Sequence, residues 1–197
     1  MSRRGSVSKS MNNQGAQDGR NMGFQQLKPR FYDPESDEET VVRFHLDLMR
    51  AHYKLWSDLH GRRYDAEYWN RLLEREQVGK KWAEELRKRI QDPDALLLVF
   101  TDTDDIPVGF LYAEIRNDHL TFRREGFINE IYLHPDYRGR NLSKSMLARG
   151  ERWFQERCVS HRHVFVTSNN LAAVKLYASL GFRVTDYRMS KTELYEG

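Results

Sequence analysis

The chain has 197 residues, 39% of them hydrophobic and 31% charged, which fits one soluble domain with a sizeable core and excludes a wholly disordered chain. The longest apolar run, Ala95 to Phe100, is far short of the ~20 residues a membrane helix needs, and the start lacks a secretory apolar region. The net charge of +3 sits in residues 1 to 25 (Arg3, Arg4, Lys9 and Arg20 against Asp18); the balanced remainder argues against nucleic acid as a partner, and no membrane partner is expected.

Residues 1 to 25, rich in Ser, Asn, Gln, Gly and Arg, read as a disordered basic tail, leaving 26 to 197 as the folded domain. Gln26 to Tyr32 reads as a strand. Asp33-Pro34-Glu35-Ser36 opens a helix, with Ser36 and Glu39 spaced as a capping box, and Val41, Phe44, Leu48 and Leu55 on its inner face. Residues 62 to 92 form a charged helical region carrying Trp69, Leu73, Trp82 and Leu86; Asp92-Pro93-Asp94 ends it.

Strands are then expected at 95 to 100, 108 to 115 and 127 to 133. A helix follows over 142 to 157 with Leu142, Met146, Leu147, Gly150, Trp153 and Phe154 inward. A short strand at 164 to 167 leads to a helix at 171 to 180, stopped by Gly181, and a last strand runs from Phe182 to about Leu194. This order implies an α/β fold, a mixed sheet with helices on both faces. The single cysteine, Cys158, forbids an internal disulfide and suits a cytoplasmic, reducing location. The seven histidines form no partner cluster, so no metal site is expected.

The chemistry concentrates in Ile131-Tyr-Leu-His-Pro-Asp-Tyr-Arg138-Gly-Arg-Asn-Leu-Ser143, a strand, a tight basic loop and a helix start. Such a loop can aim successive amides at one anion, and the helix N-terminus adds partial positive charge. Gly139 permits close backbone approach, and Arg138 and Arg140 add formal charge. About 30 residues downstream lies Asn170-Leu-Ala-Ala173-Val-Lys-Leu176-Tyr177-Ala-Ser-Leu-Gly181-Phe182.

Together these stretches resemble the GNAT superfamily, the GCN5-related N-acetyltransferases, over roughly residues 95 to 194. The later stretch matches that family's Asn-x-x-Ala-x-x-Leu-Tyr-x-x-x-Gly-Phe motif at every position; the earlier one resembles its Arg/Gln-x-x-Gly-x-Gly/Ala motif, with Asn141 and Ser143 in place of small residues. The resemblance implies a strongly twisted mixed sheet of about six to seven strands and acetyl-coenzyme A as co-substrate. Implied cofactor-binding residues are Ile131, Tyr132, Leu133, Arg138, Gly139, Arg140, Asn141, Leu142, Ser143, Asn170 and Tyr177. Asn141 tolerates positive φ better than other non-glycine residues, so the loop conformation is expected to survive.

An alkylamine acceptor is mostly protonated at pH 7, and freeing the neutral form costs about 4.6 kcal/mol, so a base is needed. Glu130, in the strand leading to the loop, is the candidate; the plainer alternative is an ion-paired carboxylate, and Glu114 is the reserve. By resemblance, a backbone N–H of Ile131 to Leu133 serves the oxyanion and Tyr177 protonates the leaving thiolate, while also packing in the core. Asn170 caps its helix, contacts the cofactor, or does both. The function implied is direct acetyl transfer to a primary amine of a small molecule or peptide. The alternative is a noncatalytic acyl-coenzyme A-sensing module, and a homodimer is compatible with either. Tyr53, Trp56, Tyr64, Tyr68 and Trp69 with Asp58, Asp65, Glu67, Glu74 and Glu76 form either an acceptor pocket for a cationic amine or an ordinary amphipathic helical pair.

Overall fold

The computed structural model describes residues 26–119 and 121–191. The expected tail at 1 to 25, and residues 192 to 194 of the expected last strand, lie outside them.

Ten principal elements follow in order: β1 (Lys28–Phe31), α1 (Pro34–Leu59), α2 (Ala66–Arg75), α3 (Val78–Arg89), β2 (Ala95–Thr101), β3 (Pro107–Asn117), β4 (Arg124–Leu133), α4 (Leu142–Glu156), β5 (Arg162–Val164) and α5 (Leu171–Ala178). The sheet has the order β1-β2-β3-β4-β5. Its first four strands form an antiparallel meander, and β5 joins β4 in parallel.

β2 is apolar almost throughout because both faces of the sheet are covered. Leu96, Leu98 and Phe100 point to one side, where they meet Leu111 and Ala113 of β3 and Met146, Leu147 and Phe154 of α4. Leu97 and Val99 point to the other, with Phe110 and Tyr112, under Val41 and Phe44 of α1 and Leu86 of α3. The period-two alternation of the strands thus divides one apolar run between two cores.

Helix starts follow side-chain capping chemistry. Asp33 caps α1 by accepting from the Glu35 amide, with Pro34 in the first turn. This replaces the expected Ser36–Glu39 box: Ser36 is inside the helix and its hydroxyl donates to Asp33. Asp65 caps α2 through the Tyr68 amide at 2.9 Å. The buried Asp37 of α1 is held by both terminal nitrogens of Arg30, tying the helix to β1.

Two sequence expectations shift. The fifth strand lies at Arg162–Val164 rather than 164 to 167; Phe165 is 86% exposed and the chain leaves the sheet there. Residues 182 to 191 form no strand, so the described sheet has five strands, not six or seven. The alternation of Phe182 with Val184 is strand-like, but Val184, Tyr187 and Met189 are exposed and no ladder receives them. A strand needs a partner edge as well as a pattern, and β5 offers only three residues.

Candidate active site

β4 gives the site its frame. Opposite β3, Tyr112 pairs with Glu130 and Ala113 with Ile128, so Asn129 is an extra residue, a β-bulge. β5 pairs only with Gly126 to Ile128. Beyond the bulge, Glu130 to Leu133 have a strand neighbour on the β3 side alone among the described residues. An extended ligand could lie along that side of Ile131, Tyr132 and Leu133. Gly109, opposite Leu133, lets the strands approach closely: a Cβ there would stand 2.5 Å from the Tyr132 carbonyl oxygen.

After β4 the chain makes a 3-10 turn at Pro135–Tyr137 and enters a loop ending at α4. Gly139 has φ +78° and Asn141 φ +59°, so two of the three positions just before the helix are left-handed. Asn141 therefore supplies the conformation expected of it. It makes no side-chain cap. Lys144 N–H donates to the Asn141 carbonyl at 3.1 Å, closing the first turn. The amides of Leu142 and Ser143 before it are among the donors that a helix leaves without an internal partner. They lie at the positive end of a 15-residue helix.

The two arginines differ. Arg138 folds back: its Nε donates to the Leu133 carbonyl at 2.8 Å, and its guanidinium lies 5.7 Å from the Tyr132 ring centre. It braces the end of β4. Arg140 is exposed beside the loop. The loop is also fastened from the front, where the Tyr137 hydroxyl donates to Asp102 Oδ2 at 2.6 Å. Asp102 Oδ1 accepts from the amides of Asp104 and Ile106. The Tyr137 bond, with those amides, holds the Asp102 carboxyl below its usual range despite its burial.

Glu130 points from β4 toward α1 and α3. His45 Nδ1 lies 2.8 Å from its Oε2, and Trp82 Nε1 donates to its Oε1 at 3.0 Å. The ordinary alternative, a Lys or Arg partner, is not what the structure shows. Glu114 is different: it sits 2.6 Å from Arg116 and 3.7 Å from Arg89, a buried carboxylate neutralised by arginine. His52, two helical turns beyond His45, lies in the same electrostatic neighbourhood. Burial lowers its pKa, with Glu130 opposing and His45 reinforcing that effect.

On the other face, Tyr177 is 7% exposed and packs in the α4–α5 core, its ring 5.7 Å from Phe182. Burial pushes its hydroxyl up to about 12, so it stays protonated across the physiological range. Asn170 caps α5 by accepting from the Ala173 amide at 3.2 Å. Asn169 next to it donates to the Leu55 carbonyl at 2.9 Å, linking this loop to α1.

The aromatic residues of α1 and α2 do cluster. Tyr53 stacks on Trp69 at 4.0 Å and lies 5.7 Å from Trp56, and Tyr68 meets Trp69 edge-on. The acids do not gather with them: Asp65 is a cap, Glu67 pairs with Arg71 and Glu76 with Arg75. Sequence reading gave no site role to His45, Asp102 or Trp82, the last read only as an apolar position of its helical region. Their only signals were an i, i+7 histidine pair on a helix and an aspartate closing a strand.

The sequence profile of the acetyltransferase (GNAT) family matches residues 56–182. A mycothiol acetyltransferase of Corynebacterium kroppenstedtii is 29% identical over 107 residues, 48% of this chain and 30% of the relative. The chain thus spans less than a third of that relative's length. Among solved structures, a GCN5-related N-acetyltransferase from Ralstonia eutropha superposes with a TM-score of 0.62 at 20% identity, covering 85% of this chain and 98% of the other. An aminoglycoside 6'-N-acetyltransferase bound to a coenzyme A–acetylneamine bisubstrate analogue superposes at 0.57 and 17% identity, covering 86% and 99%. At these identities the structural likeness establishes the fold.

Proposed function

The chain belongs to the GNAT acetyltransferase family, and from that premise we propose that it transfers an acetyl group from acetyl-coenzyme A directly to a primary amine of a small molecule or peptide in the cytoplasm. The observation that carries this reading is the loop before α4: Gly139 and Asn141, both left-handed, lead straight into the N-terminal amides of Leu142 and Ser143. Amides so presented, with Arg140 beside them, suit a diphosphate. The co-substrate would then run along the β4 edge that β5 leaves open, past Ile131 to Leu133.

Each residue has a definite task in this reading. Glu130 accepts the proton of the incoming ammonium, on the α1/α3 face of the sheet. A backbone amide of the Ile131–Leu133 segment stabilises negative charge on the acyl oxygen. Tyr177, kept protonated by burial, supplies a proton to the departing thiolate. Asn170 acts by fixing α5 and with it Tyr177.

Relatives point to amine classes without fixing one. Names in the matched set include aminoglycoside and mycothiol acetyltransferases, and the aromatic cluster at Tyr53 and Trp69 offers a flat apolar wall beside α1. The test is thioester consumption from acetyl-coenzyme A over a panel of polyamines, aminoglycosides, amino acids and peptide N-termini. Turnover with one class, lost in Tyr177→Phe, supports the reading. Tight coenzyme A binding with no turnover on any amine favours the noncatalytic sensing alternative.

A further inference from the structure

The carboxylate of Glu130 is gripped from two helices at once. His45 Nδ1 reaches Oε2 at 2.8 Å from α1, and Trp82 Nε1 reaches Oε1 at 3.0 Å from α3. The two donors also hold each other: the imidazole and indole stack at 4.2 Å with an interplanar angle of 9°. Trp82 in turn packs edge-on against Phe110 of β3. His45 is 5% exposed, so its orientation is set by packing.

The chemistry of the donors fixes the direction of each bond. An indole Nε1–H only donates, and an ionised carboxylate only accepts. While Glu130 is ionised, His45 therefore donates to it from Nδ1. An ionised carboxylate has about four acceptor sites, so two remain for a substrate proton. Glu130 also follows the Asn129 bulge, the kind of irregularity that re-aims a side chain.

We infer that His45 and Trp82 are positioning residues that aim Glu130 at the acceptor amine, so that the proton-accepting group is a carboxylate–imidazole–indole unit assembled from β4, α1 and α3. This deepens the proposed function and rests on Glu130 being its base. A structural role alone would require the same contacts for stability, with no effect on turnover beyond that of misfolding. A positioning role acts through Glu130 and vanishes with it.

The experiment is a double-mutant cycle read by thioester consumption with spermidine, kanamycin and lysine, with folding checked by circular dichroism. His45→Leu should lower kcat roughly 10–100-fold while KM for acetyl-coenzyme A stays within about twofold. His45→Asn, which returns a donor near the Nδ1 position, should recover most of the loss. Trp82→Phe keeps an aromatic ring but not the donor and should cost roughly 3–10-fold; it carries the test if His45→Leu does not fold. In a Glu130→Ala background, His45→Leu should cost less than about twofold more. A second arm needs no acceptor: long-range ¹H–¹⁵N spectra should show His45 protonated on Nδ1, and less so in Glu130→Ala.

Full activity of Glu130→Ala would overturn the proposed base and leave the positioning inference without an object. An impaired Glu130→Ala with unaffected His45→Leu and Trp82→Phe would overturn the inference alone, as would losses that simply multiply in the cycle. If none of the three amines turns over, an Nε2-protonated His45 overturns the clamp and an Nδ1-protonated one supports it.

Discussion

The Tyr137 hydroxyl donates to Asp102 Oδ2 at 2.6 Å, joining the loop before α4 to the end of β2. This bond sets where the loop stands relative to the sheet. Tyr137→Phe should leave the fold intact and raise KM for acetyl-coenzyme A roughly fivefold, with kcat little changed, because one well-made hydrogen bond to a charged group is lost. Steady-state kinetics over acetyl-coenzyme A concentration reads the outcome.

Asn141 stands at φ +59° at the entry to α4. Asn141→Gly should keep or slightly tighten coenzyme A binding, since glycine enters that region without penalty. Asn141→Val should weaken binding about tenfold or more, a branched side chain costing on the order of 1–2 kcal/mol there. Isothermal titration calorimetry with coenzyme A separates the two.

Much of this loop was legible in the sequence. Asparagine in place of glycine preserves a left-handed position for a stated steric reason, and the structure shows that conformation. The alternating apolar pattern of β2 and β3 and the inward stripe of α4 were equally readable, because burial on a sheet or helix face imposes a period. What escaped was everything set by distance in sequence. Glu130 and His45 are 85 residues apart, and no local pattern announces that an imidazole on α1 will meet a carboxylate on β4. The last strand failed for the related reason that pairing depends on an edge elsewhere in the chain.

Gly109 allows β3 and β4 to approach beside the segment proposed to serve the acyl oxygen. In Gly109→Ala the new methyl would stand 2.5 Å from the Tyr132 carbonyl oxygen, a backbone atom that cannot step aside alone. A stability loss of roughly 1–3 kcal/mol is expected, together with a fall in kcat as Ile131 to Leu133 shift. Urea midpoints and kinetics on the same preparation report both.

Tyr177 is pushed up to about 12 by burial, and Tyr32 likewise. The unfolded chain ionises near pH 10, so it binds fewer protons than the folded chain between about pH 10 and 12. Stability is therefore complete below pH 10 and falls as pH rises through that window. Tyr177 should account for about 1 kcal/mol of loss at pH 11, absent in Tyr177→Phe. Urea unfolding at pH 9 and pH 11 for both proteins measures the difference. At pH 7.5 the same variant should lose turnover roughly 100-fold while remaining folded.

His52 has its pKa lowered, first by burial. The folded state then binds fewer protons than the unfolded state near and below pH 6.5, and stability contributed by neutral His52 is lost as pH falls. His52→Gln should flatten the decline in melting temperature between pH 7 and pH 5. A decline identical to the parent protein's would place the acid sensitivity in other groups.

The role of the loop that ends at α4 is tested most directly by a crystal structure with bound coenzyme A. The diphosphate is expected against the amides between Gly139 and Ser143, and the thiol end along Ile131 to Leu133 with the Tyr177 hydroxyl near sulfur. Coenzyme A seated elsewhere, with those amides bonded to the protein's own carbonyls, would contradict that role.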